Sequence, residues 1–268
     1  MTVEARSSSQ SRPVDLTWIG QAGFALLAGS TRILIDPFVG EHELRRVAPP
    51  PLEQVACDVD WLLITHEHMD HLDPAFLPLV VERSPGVQIV LPSPLVETVT
   101  QLSSCDRLHP VQPGDKLRLS DDASLEVMPA CHAVDVGEAY GDGSTGERTA
   151  RFVGYLLQFG KLSVYHSGDT LVTTELLEHL ASRTVDVALL PINGRDYFRE
   201  RAGLVGNMGV REAVGLAVQI GARTLVPMHW DLFEGNTERP GAVLDEVVAT
   251  GADLHVLTLA RMRSYRFA

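Results

Sequence analysis

The stretch at residues 65–73 reads Thr-His-Glu-His-Met-Asp-His-Leu-Asp and brings four metal-capable side chains within six residues: His66, His68, Asp70 and His71. The preceding run, Trp61–Thr65, is short, apolar and rich in residues that favour strands, which predicts a buried strand ending where the motif begins. Because alternate side chains of extended backbone point the same way, His66 and His68 are predicted to hold one ion from one side. The last two side chains of the motif lie past a turn and are predicted to face a second ion.

The donor atoms of this H-x-H-x-D-H motif indicate which ions it would hold. Neutral imidazole and carboxylate suit zinc and, less selectively, manganese or iron. A solvated polar loop is the alternative, and the spacing of all four side chains argues against it. The sequence therefore predicts two divalent metal ions, zinc or manganese, as cofactors.

Three further positions, each just after an apolar β-like run, are predicted to complete the two ligand sets: His132, Asp169 and His229. His132 is the third imidazole for the first ion, although a lone histidine at a strand end is often structural. Asp169 can bridge both ions with its two oxygens, and its alternative role is to cap a helix at 171–181. His229 joins Asp70 and His71 at the second ion.

Asp36 also follows a predicted strand and stands before Pro37. We expect it to support the site by accepting a hydrogen bond from a ligand histidine. A turn role is the alternative, because Asp-Pro is a common turn starter.

Composition limits the class of protein. The chain has 268 residues, 45% of them hydrophobic, which suits one large domain or two small ones. Three cysteines without a C-x-x-C pattern fit a reducing compartment, and the polar first 13 residues contain no export signal, so a cytoplasmic location is expected. A formal net charge of −13 opposes binding to nucleic acid, and no apolar run is long enough for a membrane span.

Strands and helices are predicted along the whole chain after a flexible tail at 1–13. Residues 41–56 are expected to be irregular, and the glycine-rich segment 137–146 to form a loop near the site. The remaining elements indicate a layered α/β sandwich and one domain over 14–268. The predicted strands are 15–19, 24–28, 32–35, 61–65, 87–91, 107–109, 116–119, 124–130, 151–159, 162–166, 185–190 and 223–227, and the predicted helices are 74–83, 94–102, 171–181, 208–220 and 240–249.

These residues, in this order, resemble the metallo-β-lactamase superfamily. The resemblance runs from Leu16–Gly20 and Ile33–Pro37 through the motif to Met228–His229. It implies an α/β (α+β) fold, a four-layer αββα sandwich with a dinuclear site at one edge of its two sheets. Leu189–Arg195, Val205–Met208 and Pro227–Phe233 look like the L-ascorbate-6-phosphate lactonase branch, whereas Gln21 stands where relatives often carry His.

The resemblance implies a metal-dependent hydrolase that uses a dinuclear metal-bound hydroxide to open a lactone of a sugar acid or sugar-acid phosphate, with Asp70 as the catalytic residue that orients the nucleophile. A phosphodiesterase acting on a small anionic substrate, or a metal-stabilised binding protein without activity, are the alternatives. The expected partner is a small-molecule substrate, which could be anionic. No binding to nucleic acid or to a membrane is expected. The chain could also form a homo-oligomer. Substrate contacts are predicted at four residues: Asn193, Arg195, Asn207 and Trp230. For Arg195 a surface salt bridge is an equal alternative, and Asn193 could simply form a turn.

Overall fold

The computed structural model describes residues 13–133, 135–136 and 151–268. The tail predicted at 1–13 and the loop predicted at 137–146 therefore lie outside the described residues, apart from Pro13. Two seven-stranded sheets pack face to face, and helices cover the outer face of each. This arrangement confirms the predicted αββα sandwich.

The first sheet has the strand order β14-β1-β2-β3-β4-β5-β6. Its strands from β3 to β6 run parallel, whereas β14, β1, β2 and β3 alternate in direction. The strands are β1 Val14–Gly20, β2 Gly23–Ala28, β3 Thr31–Ile35, β4 Trp61–Leu63, β5 Gln88–Pro92, β6 Leu108–Val111 and β14 Ser264–Phe267.

The second sheet has the order β13-β12-β11-β10-β9-β8-β7, and the four strands from β10 to β13 run parallel. Its strands are β7 Lys116–Arg118, β8 Ala123–Pro129, β9 Val153–Phe159, β10 Leu162–His166, β11 Val187–Pro191, β12 Thr224–Met228 and β13 His255–Val256.

Alternation along the strands explains the layers. On β11, Val187 and Leu189 enter the core between the sheets, whereas Ala188 and Leu190 face the helices. Side chains of a strand point to opposite faces in turn, so a strand that is apolar throughout must be covered on both sides. The helices are α1 Leu52–Ala56, α2 Phe76–Arg83, α3 Val96–Ser103, α4 Thr174–Leu180, α5 Tyr197–Arg201, α6 Val210–Gln219 and α7 Gly241–Thr250, with a 3₁₀ helix at Ser93–Leu95.

Most predicted elements agree with the structure to within a few residues. Helix α2 begins at Phe76, two residues later than predicted, while the Asp73 carboxylate accepts from the N–H groups of Ala75 and Phe76 in the manner of the predicted helix cap. Two short helices, α1 and α5, lie in segments whose patterns do not indicate helix. Among the residues that the structure describes, no helix is both long enough and apolar enough to cross a bilayer.

Candidate metal centre

The carboxyl ends of the parallel strands meet at one edge of the sandwich. Asp36 follows β3, the H-x-H-x-D-H motif follows β4, and His229 follows β12 directly. Strand β8 runs in the same direction as β10, because both are antiparallel to β9, so His132 and Asp169 reach the same edge. All seven predicted ligand side chains are brought together there in two groups, and atoms within each group lie within 4.8 Å of one another.

The first group is His66, His68, His132 and Asp169. The Nε2 atom of His66 lies 3.0 Å from Nδ1 of His68, and Nε2 of His132 lies 3.3 Å from that same Nδ1. Asp169 completes the group with Oδ2 at 3.6 Å from Nε2 of His132. Three ring nitrogens and one carboxylate therefore converge on a common point.

The second group is Asp70, His71 and His229. Nε2 of His229 lies 3.3 Å from Oδ2 of Asp70, and Nε2 of His71 lies 3.9 Å from that oxygen. Asp169 reaches this group as well, at 3.1 Å from His229 and 3.3 Å from His71. Asp169 thus contacts both groups, as a carboxylate with two oxygens can.

Electrostatics differ between the two groups. Burial, reinforced by His71 and His68, holds the pKa of His66 well below its usual value. Burial likewise lowers the pKa of His132 to about 3. These imidazoles are neutral near pH 7, so each has a lone pair available for a cation.

The carboxylates around the second group favour the protonated form of its two histidines. Burial opposes charge on His229, but the carboxylates of Asp169 and Asp70 outweigh it and raise the pKa to about 10. Burial also opposes charge on His71, and Asp169, Asp36 and Asp70 together raise its pKa well above the usual value. In turn, His71 and His229 overcome the effect of burial on Asp70 and Asp169 and hold both carboxyl pKa values below their usual range.

Several buried polar atoms of the centre lack a hydrogen-bond partner in the described part of the chain. They include Nε2 of His71, Nδ1 of His132 and Oδ1 of Asp169. The His71 and Asp169 atoms are 3.3 Å apart, yet they are not aligned as a hydrogen bond. Buried atoms of this kind are costly unless something satisfies them. Nitrogen and carboxylate donors around shared points fit divalent cations.

Asp36 supports this centre through hydrogen bonds to His71 and to Thr65, the residue before the motif. Its Oδ2 accepts a hydrogen bond from Nδ1 of His71 at 2.7 Å, and its two oxygens also accept from the Thr65 backbone N–H and hydroxyl at 2.8 and 2.5 Å. All three residues are buried. When His71 is neutral, a proton held on Nδ1 leaves the lone pair of Nε2 directed into the centre.

Gln21 belongs to the site, and the sequence indicates this only through its departure from the family pattern. Its Nε2 donates to Oδ2 of Asp70 at 2.8 Å and lies 3.1 Å from Nε2 of His229. Its backbone is held as well, because its N–H donates to Oδ1 of Asp231 at 3.0 Å and its carbonyl accepts from Nε1 of Trp18 at 3.1 Å. Gln21 therefore fixes the orientation of the Asp70 carboxylate from a rigid turn between β1 and β2.

Asp169 does not serve as a helix cap. Helix α4 is capped by Thr173, whose hydroxyl accepts from the N–H of Leu176 at 3.2 Å. The turn before Asp169 contains Gly168 at φ +60°, where an added Cβ would lie 2.7 Å from the carbonyl oxygen of Val153. Glycine is required at this position, and the turn directs the next carboxylate towards the histidines.

A cavity of about 230 Å³ opens above the centre. His68, Asp70, Asp169 and His229 form its floor. The other described residues of its wall are mostly uncharged: His42, Leu44, Met69, Gly203, Leu204, Val205, Phe233, Glu234 and Asn236. Its size suits a small molecule.

Two predicted substrate contacts lie behind this cavity. Asn193 and Asn207 are buried and linked, with Nδ2 of Asn207 donating to Oδ1 of Asn193 at 3.1 Å. Asn193 in turn donates to Oδ1 of Asn236 at 2.9 Å. The two predicted residues thus position Asn236, a wall residue that the sequence pattern does not single out.

The other two predicted substrate contacts point elsewhere. Both terminal nitrogens of Arg195 bind the Glu212 carboxylate at 2.7 Å, which is the salt-bridge alternative. Trp230 stacks on Trp18 with ring centroids 5.0 Å apart and lines a different cavity. Its neighbour His229 has φ +58°, and the chain turns so that adjacent side chains face different cavities.

Comparison with known proteins gives a consistent result. The profile of a family described as the beta-lactamase superfamily domain matches residues 31–230. A UPF0173 metal-dependent hydrolase of Archaeoglobus fulgidus is 29% identical over 94% of this chain and 98% of its own length. Another from Pyrobaculum calidifontis is 30% identical over 82% of this chain and 85% of its own.

Solved structures show the same fold. A metallo hydrolase of Ignicoccus hospitalis superposes with a TM-score of 0.73 at 21% identity, over 96% of this chain and 99% of the other. An isothiocyanate hydrolase from Delia radicum gut bacteria gives a TM-score of 0.74 at 18% identity, over 94% and 99%. At such identities the likeness concerns the fold alone.

Proposed function

The chain belongs to the beta-lactamase superfamily and is a metal-dependent hydrolase, and from this premise we propose that it opens a small lactone at a dinuclear metal centre. His66, His68 and His132 would hold the first ion, and Asp70, His71 and His229 would hold the second. Asp169 lies where its carboxylate could serve both. The observation that carries the proposal is the position of Asp169, within 3.6 Å of histidines from both groups.

Access from the cavity supports a catalytic role over a purely structural one. Catalytic metal sites keep a position for water or substrate. Each ion would have three ligands of its own and share the Asp169 carboxylate, so the ligand count does not separate the two roles, but His68, Asp70, Asp169 and His229 form the floor of a cavity that a small molecule can enter. A metal-stabilised binding protein would need no such opening.

The ions, when bound, supply a water of lowered pKa and polarise the carbonyl group of the substrate. The protein side chains provide position and proton transfer. Asp70 borders the cavity, and the Gln21 amide holds one of its oxygens, which leaves the other to orient a water and accept its proton. Asp36 keeps the proton of His71 on Nδ1, so that Nε2 stays a ligand.

A lactone fits this geometry because its leaving group stays tethered to the acyl group, so a small cavity can hold the whole reacting molecule. The branch resemblance pointed to a sugar acid or its phosphate. Since Glu212 holds the guanidinium of Arg195, that residue supplies no phosphate-binding group to the cavity. The lactone ring remains the proposed substrate, without the phosphate.

The test is a panel of lactones and a chromogenic phosphodiester, assayed with protein whose metal content has been measured. We expect close to two ions per chain and turnover of one or more lactones, both lost in His66→Ala and His229→Ala. Intact protein that binds no metal would refute the dinuclear proposal. Turnover of the phosphodiester alone would support the phosphodiesterase alternative, because the same centre can act on phosphorus.

A further inference from the structure

We infer that the cavity selects an uncharged lactone that carries an apolar substituent, an inference that rests on the proposed function. The resemblance to a sugar-acid lactonase would instead require a polar and anionic substrate. The inference depends on three features of the cavity wall: apolar surface beside the centre, the sign of its charges and its two neutral hydrogen-bond donors.

The first feature is apolar side chains that are exposed to water at the mouth of the cavity. Leu44 is 46% exposed and Met69 is 42% exposed, and both line the cavity. Leu204, Val205 and Phe233 extend the same surface. Covering apolar surface is favourable in proportion to its area, so an alkyl group placed here would bind more tightly than a hydroxylated one.

The second feature is charge. Of the described residues that line the cavity, none is lysine or arginine, and outside the metal-ligand set Glu234 supplies a carboxylate. Within the described wall, an anionic substituent would therefore face a like charge without an arginine or lysine to pair it, which is unfavourable. The metal ions would attract an anion only at the floor, where the ester carbonyl must lie.

The third feature is two neutral hydrogen-bond donors. The Oδ1 of Asn236 accepts from Asn193, so its amide N–H groups are left as donors in the wall. His42 is a second neutral donor, because its Nδ1 accepts from the Leu44 N–H and its Nε2 then carries the proton. Two neutral donors in a mostly apolar wall suit the ring oxygen and carbonyl of an ester. A sugar acid would bring several hydroxyl groups for which this wall offers few partners.

The experiment compares three lactones with the same five-membered ring and different substituents: methyl, pentyl and carboxylate. With zinc-loaded protein, kcat/KM should rise about fourfold for each methylene that enters the cavity. The carboxylate compound should be about tenfold worse than the methyl compound. A preference for the carboxylate, or no dependence on chain length, overturns the inference.

Binding of the matching lactams separates this inference from the proposed function. Calorimetry with zinc-loaded protein should show that the pentyl lactam binds more tightly than the carboxylate lactam. If the pentyl lactam binds more tightly while no lactone is hydrolysed, the proposed lactonase activity is refuted and the inferred preference for an apolar substituent is supported. The reverse order overturns the selectivity, whatever the reaction.

Two matched pairs of variants test the wall itself. Leu44→Ser should lower kcat/KM for the pentyl lactone about fivefold more than for the methyl lactone, whereas Leu244→Ser, at a leucine 55% exposed on α7, should change neither. Glu234→Gln should raise kcat/KM for the carboxylate lactone about fivefold, and Glu178→Gln on α4 should not. Equal effects of the two variants within either pair would contradict the placement of Leu44 or Glu234 in the wall of the substrate cavity.

Discussion

Replacing Asp36 by asparagine removes the charge that faces His71 and leaves the size of the side chain unchanged. The oxygen that accepts from the Thr65 N–H at 2.8 Å can be kept. The new amide group then stands 2.7 Å from Nδ1 of His71, where it must donate rather than accept. The proton of His71 is thereby moved to Nε2, which faces Asp169 and the proposed second ion.

The size of the effect follows from two independent estimates. A buried hydrogen bond to a charged group contributes about 1.5–3 kcal/mol. Loss of a group that orients a metal-binding histidine weakens metal affinity about 10–100-fold, which is about 1.4–2.8 kcal/mol. The two ranges coincide, so we expect Asp36→Asn to weaken binding of one of the two ions by about 10–100-fold.

The assay is a competition titration with a chromophoric chelator, together with thermal unfolding of the metal-free protein. Asp60→Asn is the matched control, because Asp60 accepts a backbone N–H from Arg32 at 2.8 Å on the exposed surface between β3 and β4. Unchanged affinity for both ions in Asp36→Asn, with a lowered Tm, would refute the reasoning. Asp36 would then stabilise the fold without orienting His71 for metal binding.

Three further predictions concern the residues around the centre. Gln21→Leu removes the donor to Asp70 and should lower kcat about tenfold, worth about 1.4 kcal/mol, while two ions per chain remain, as metal analysis and kinetics on an active lactone can check. Metal binding at pH 7.5 should release on the order of two protons, because the pKa of His229 is about 10 and that of His71 is also raised. Metal affinity should therefore fall as pH falls. A titration with metal in weak buffer measures the protons released, and its repetition at lower pH measures the loss of affinity. Arg195→Gln should lower the free energy of unfolding by about 1 kcal/mol without changing KM, as denaturant titration and kinetics would show.

Each of these predictions has an outcome that contradicts it. An unchanged kcat in Gln21→Leu would mean that the amide does not orient the carboxylate. Metal uptake without proton release would mean that the histidines of the second group are neutral before the ions bind. If Arg195→Gln raises the KM for a carboxylate-bearing lactone tenfold, Arg195 does contact the substrate.

Much of the fold was predictable because its strands are apolar and short and its helices follow them at regular intervals. The strands β3 and β10 have sequence patterns that predict them nearly to their ends. The short helices α1 and α5 were not predictable, because five residues hold too few apolar positions to show a period. The Asp73 carboxylate accepts from the Ala75 N–H at the start of helix α2 and also from the N–H of Val39, 34 residues earlier, a contact that no local pattern indicates.

The candidate substrate residues were less predictable than the candidate ligands. Arg195 carries the right group for an anion, yet its partner Glu212 lies 17 residues away on another element. Trp230 adjoins His229 in sequence, but the left-handed backbone between them sends the two side chains apart. A residue type indicates what a side chain can bind, and only its neighbours decide what it does bind.

The sequence by itself determined the local part of the centre. Spacing along a strand end controls the direction of neighbouring side chains, so H-x-H-x-D-H predicts two directions of approach. The sequence left Asp169 as a bridge or a helix cap, and the tertiary structure decided that it contacts both histidine groups. The tertiary structure alone decided that Gln21 reaches Asp70 and His229 across 49 and 208 residues, and that the cavity wall is mostly apolar. Those contacts depend on which strands pair, and pairing between distant segments is set by burial of both sheet faces rather than by any local pattern.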